Sequence, residues 1–76
     1  MDVIVNGIYR HFKGDYYIVV DIAYDCDTKE KIVVYRALYG ECKLWVRQYS
    51  VFTEEVNRNN QKYRFELQDI KSIKDI

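Results

Sequence analysis

The chain has 76 residues, 12 basic and 12 acidic with a single histidine, and is 49% hydrophobic; that is room for one domain near the size where a core only just suffices. A formal charge of zero argues against affinity resting on global attraction to phosphate backbones and leaves only local patches. With 8 Tyr, 3 Phe and 1 Trp but no Pro, large buried area comes from few side chains, and turns must rest on Gly, Asn and Asp.

Residues 1–6 carry neither the basic region nor the apolar run of a signal peptide, and no stretch approaches membrane-spanning length. A cytoplasmic protein without membrane association is expected. Ile8 to Lys13 alternates as a strand, with Tyr9, His11 and Lys13 on one face and Ile8, Arg10 and Phe12 on the other. Gly14-Asp15 has the form of a two-residue hairpin turn with glycine first. Tyr16 to Tyr24 returns as a long strand: Ile18, Val20 and Ile22 share one face, Tyr17, Val19 and Ala23 the other, which suggests a bent central strand buried on both sides.

Asp25 to Glu30 is a polar loop whose short side chains bond their own backbone. Lys31 to Leu38 is a third strand, Gly40 marks a turn, and Leu44 to Tyr49 is a fourth. Thr53 is placed to cap one helical turn over Phe52 to Val56, Asn57 to Asn60 breaks it, and Lys62 to Leu67 supplies a fifth strand. In the tail, Leu67, Ile70, Ile73 and Ile76 recur at three-residue spacing, as a helical turn packed on the fold or a frayed end. Short connections and regular spacing favour an antiparallel meander. The expected class is therefore all-β with one small helical turn, a five-stranded antiparallel SH3-like barrel over residues 7–67, in a single domain 1–76 with a tail at 68–76. An OB-like barrel and an open α+β sheet are the alternatives.

Much chemistry is excluded by missing residues. Three scattered glycines make no phosphate loop. One histidine and two distant cysteines cannot supply the four paired ligands of structural zinc, so no metal or cofactor is expected. Cys26 and Cys42, on different loops, read as reduced thiols, with a disulfide between two hairpin tips as the alternative. No catalytic set is expected, since His11 is the one conventional base and neither thiol is placed to meet it.

What remains is an aromatic and cationic constellation. Trp45, Arg47 and Tyr49 share a face of the fourth strand. One reading is structural: the Arg47 stem lies along Trp45 and seals the core. The other is a shallow cleft lined by Tyr9, His11, Tyr35, Trp45 and Arg47, in which rings stack a planar group and arginine grips carboxylate or phosphate. Lys13, Glu54 and Arg64 are supporting candidates, with Glu54 the carboxylate that would neutralise an arginine.

These residues resemble those of a family of small bacterial and archaeal proteins, the domain of unknown function 1653 family. Its pattern runs G-x-Y-x-H-[FY]-K-G-x-x-Y-x-V, then an A-x-H-S-E-T-like loop, then V-V-Y, L-Y, W-x-R-P, F-x-E and R-F. Gly7, Tyr9, His11, Phe12, Lys13, Gly14, Tyr17, Val19, Ala23, Thr28, Val33, Val34, Tyr35, Leu38, Tyr39, Trp45, Arg47, Phe52, Glu54, Arg64 and Phe65 match it. The chain departs in a loop, where Asp25, Cys26 and Asp27 replace histidine, serine and glutamate, and at Gln48, which replaces proline. The resemblance implies no activity. The reading that follows is a binding module whose cleft takes a small anionic ligand, a nucleotide or nucleic acid, or a peptide. The rivals are an interaction domain working through strand edges or the tail, and an enzyme of unrecognised type using His11 or Glu54.

Overall fold

The structure, a computed structural model, describes residues 2–69. Seven strands and one helical turn follow in the order β1 (Ile8–His11), β2 (Tyr16–Tyr24), β3 (Lys31–Ala37), β4 (Leu44–Gln48), α1 (Tyr49–Phe52), β5 (Glu55–Arg58), β6 (Gln61–Tyr63) and β7 (Phe65–Leu67). Five strands form one antiparallel sheet in the order β4-β3-β2-β1-β7, and β5 and β6 form a separate hairpin.

The sheet is open. No pairing joins β4 to β7 among the described residues, so the expected closed barrel gives way to a curled sheet with a hairpin across its mouth. Phe52 from α1 and Phe65 from β7 stack at 4.0 Å and 3° inside the curl. The tail spacing at Ile70, Ile73 and Ile76 lies outside the described residues.

Three local corrections have physical causes. The first turn is longer than two residues: His11 carbonyl accepts from Gly14 N–H, and His11 N–H donates to Asp15 carbonyl. Phe12 and Lys13 therefore occupy the turn, and Gly14 follows at φ 111°, which a side-chain-free residue adopts without strain. The helical turn lies earlier than expected, and Thr53 ends it, its hydroxyl donating to Tyr49 carbonyl at 2.9 Å. The expected fifth strand is two strands, split by a bend at Arg64. The Asn run is the β5–β6 turn, with Asn57, Asn59 and Asn60 all at positive φ, where asparagine is tolerated better than most residues.

The bend in β2 is a bulge. Val19 pairs with Tyr35 and Asp21 with Val34, so Val20 is the extra residue. Inward parity shifts there from Tyr17 and Val19 to Ile22, which an uninterrupted period of two cannot do. The core is Tyr9, Val19, Val33, Tyr35, Phe52 and Phe65, with ring pairs mostly edge to face, the arrangement their quadrupoles favour.

The N-terminal segment satisfies two tyrosine hydroxyls, which accept from the N–H groups of Val3 (Tyr49) and Ile4 (Tyr9). Gly7 lets it pass: a Cβ there would lie 2.9 Å from both Ile4 carbonyl oxygen and Leu67 Cδ1. Gly7→Ala is expected to cost about 1–3 kcal/mol, seen as a lower urea midpoint at unchanged slope.

Candidate functional site

The hairpin closes a cleft of about 500 Å³ against the main sheet. His11, Phe12 and Lys13 line one wall from the first turn, Arg47 enters from β4, and Glu54, Glu55, Val56, Arg58 and Arg64 line the hairpin side. Side-chain amides fasten the two walls. Buried Gln61 donates from Nε2 to the carbonyls of Arg10 and Tyr63 and accepts from Arg10 Nη1 at Oε1. Asn59 Nδ2 donates to Phe12 carbonyl at 2.9 Å. Arg64 is held at the bend, its N–H on Glu54 carbonyl and its carbonyl accepting from Phe12 N–H.

Both arginines are fixed before any ligand arrives. Arg47 donates from Nε to Tyr35 hydroxyl at 3.1 Å, and its guanidinium lies 5.7 Å from the Phe65 ring centroid. Arg64 pairs with Glu54 at 2.7 Å and lies 5.8 Å from the Phe12 centroid. Its Nε is buried and has no acceptor among the described residues. Lys62 takes up Glu55 at 3.6 Å. Lys13, Arg47 and Arg58 have no carboxylate in ion-pair range among the described residues.

His11 reports this imbalance. Burial, then the charges of Arg47, Arg64 and Lys13, push its imidazole down to about 4, with Asp15 opposing them. The ring is neutral at physiological pH. Its Nδ1 accepts from Lys13 N–H at 3.1 Å, which leaves the ring proton on Nε2. It packs edge-on against Phe65, with centroids 4.9 Å apart.

The expected cleft is thus brought together only in part. His11 and Arg47 line it, and the supporting residues Lys13, Glu54 and Arg64 join them. Tyr9 and Tyr35 do not: their rings are buried in the core, and their hydroxyls engage Ile4 N–H and Arg47 Nε. Trp45 stands apart, 47% exposed, beside a second hollow of about 300 Å³ with Ala37, Tyr39, Glu41 and Lys43. Arg47 therefore lies over Phe65 and not along Trp45, since tryptophan sits at the open edge while phenylalanine fills the curl. Sequence reasoning missed Phe12, Arg58 and the Phe65 platform. Extending strand alternation through Lys13 put Phe12 opposite His11, whereas the two rings lie 4.5 Å apart; the Lys13-Gly14 turn signal was the clue to ending the strand sooner.

Elsewhere, Cys26 and Cys42 are exposed and unbonded, and no helix among the described residues is long and apolar enough to cross a membrane.

No curated protein matches the chain. A crystal structure of a DUF1653 protein from Bordetella bronchiseptica is similar, with a TM-score of 0.70 and 32% identity over 82% of this chain and 83% of that one. The family model described as protein of unknown function DUF1653 matches residues 7–67. With the aromatic core and the His11, Arg47 and Arg64 cluster lying inside that span, the chain belongs to the DUF1653 family.

Proposed function

We propose that the cleft between the first turn and the β5–β6 hairpin binds a small anion bearing a phosphate or carboxylate group, and that the protein is a binding module. The observation that carries this reading is the charge balance: four cationic side chains line one cleft, Lys13, Arg47, Arg58 and Arg64, against two carboxylates that are each already paired. An oxyanion offsets the cationic repulsion that adds to burial in holding His11 neutral, and it offers an acceptor to prefixed guanidinium groups whose ordering entropy is already spent. Phe12 and Phe65 back those groups, as planar guanidinium favours. Two exposed, unbonded cysteines support a reducing, cytoplasmic setting.

The test is heteronuclear NMR with inorganic phosphate, citrate and a mononucleotide as separate titrants. Saturable shifts are expected at the His11 ring and the Nε–H groups of Arg47 and Arg64, with dissociation constants of about a millimolar or tighter. Arg47→Gln should weaken binding by roughly tenfold or more, the worth of a charge-assisted hydrogen bond. If none of the three moves these signals at millimolar concentration, the reading fails. A nucleotide that binds no better than phosphate would limit recognition to the anionic group.

A further inference from the structure

Three side chains lining the cleft are each held by one contact and keep further N–H groups unused. His11 Nδ1 accepts from Lys13 N–H, so the ring presents Nε2–H. Arg47 spends Nε on Tyr35 hydroxyl and Arg64 spends Nη2 on Glu54, which leaves both terminal nitrogens of Arg47 and Nη1 of Arg64. None of these donors has an acceptor among the described residues, and none is buried away from solvent, since the buried side-chain polar atom without a partner there is Arg64 Nε.

Aromatic rings tie the three together. Arg47 lies over Phe65, and Arg64 lies over Phe12. The His11 ring touches both platforms, with centroids 4.9 Å from Phe65 and 4.5 Å from Phe12. The first turn, β4 and the bend before β7 thus each bring one fixed donor to the same cleft. Lys13, Arg47, Arg58 and Arg64 set against Glu54 and Glu55 leave its lining with an excess of two positive charges.

Resting on the anion reading above, we infer that the group taken by this cleft is a terminal phosphoryl, the dianionic end of a small phosphomonoester, in preference to a carboxylate or the diester of a nucleic-acid backbone. A terminal phosphoryl has three unsubstituted oxygens pointing three ways and a charge of about −1.5 to −2 at neutral pH. That is one acceptor for each donor wall, and a charge that matches the excess. A diester has two such oxygens and a single charge, and a carboxylate has two oxygens in one plane. Either leaves a fixed donor facing no acceptor, which is how a site built for hydrogen bonding rejects a near-isostere.

Calorimetric and NMR titrations with methyl phosphate, dimethyl phosphate and acetate test this on the wild-type chain. Methyl phosphate is expected to bind at least about tenfold more tightly than the other two, the worth of a charge-assisted hydrogen bond. The His11 Nε2–H signal should shift in that complex and exchange more slowly with water. His11→Phe keeps a ring against Phe12 and Phe65 but has no N–H. It should weaken methyl phosphate by about tenfold and acetate much less, a split that a general loss of folding does not produce. If acetate or dimethyl phosphate binds as tightly as methyl phosphate, the phosphoryl assignment falls while the anion reading stands. A tight methyl phosphate complex that leaves His11 Nε2–H unmoved also overturns it. If none of the three binds, both readings fall.

Discussion

Replacing Phe65 by alanine is expected to remove a large share of the protein's stability. The ring is 1% exposed, stacks on Phe52 at 4.0 Å and meets Tyr17, Tyr35 and His11 edge to face. Large-to-small replacement of a buried phenylalanine costs about 3–5 kcal/mol, whereas a domain of this length has roughly 4–11 kcal/mol in total. Phe65→Leu keeps most of the volume and loses the stack, for about 1–2 kcal/mol. It should remain folded while releasing Arg47, whose guanidinium rests on this ring. Urea melts give the two losses, and the Arg47 Nε–H signal in Phe65→Leu should sharpen toward that of a mobile side chain. A Phe65→Ala protein with the wild-type urea midpoint would contradict the core as described.

The second large effect is a pH dependence centred on His11. Unfolded, the imidazole takes a proton at its ordinary value of 6.5; folded, burial and three cations hold it to about 4. As pH falls through that window the unfolded chain binds the proton first, so stability is lost from about 6.5 down to about 4 and levels off below. The shift corresponds to at most about 3 kcal/mol, and to about 1–2 after allowance for screening in an open cleft. His11→Gln, which does not titrate, should remove this slope and nothing else in the window. The difference between the two pH–stability curves isolates the histidine from carboxylates such as Glu54. Saturating inorganic phosphate should raise the His11 value, since an anion offsets Arg47, Arg64 and Lys13. An imidazole that titrates near 6.5 without phosphate would mean that neither burial nor the cations act on it as described.

The site was half legible. Lys13, Arg47, Glu54 and Arg64 announce themselves because charged residues among aromatic ones have few structural uses, and His11 is the sole histidine. Whether an aromatic residue floors a cleft or fills a core was not legible, because tyrosine serves both. Tyr9 and Trp45 occupy similar strand patterns, yet one lies 1% and the other 47% exposed, a difference set by where β1 and β4 fall in the sheet order.

Alternation and turn chemistry by themselves determine the first four strands and their antiparallel pairing, because period two and the conformational needs of Gly and Asn act locally. Tertiary structure alone decides the rest. The Val20 bulge rephases β2, the Phe52–Phe65 stack fills the curl, and Gln61 with Asn59 pins the hairpin across the mouth. These are contacts between residues up to 51 positions apart, and long-range packing leaves no periodic signature in a sequence. The cleft owes its existence to them: it forms where an open sheet end meets a hairpin, and its cations gather from three separate segments.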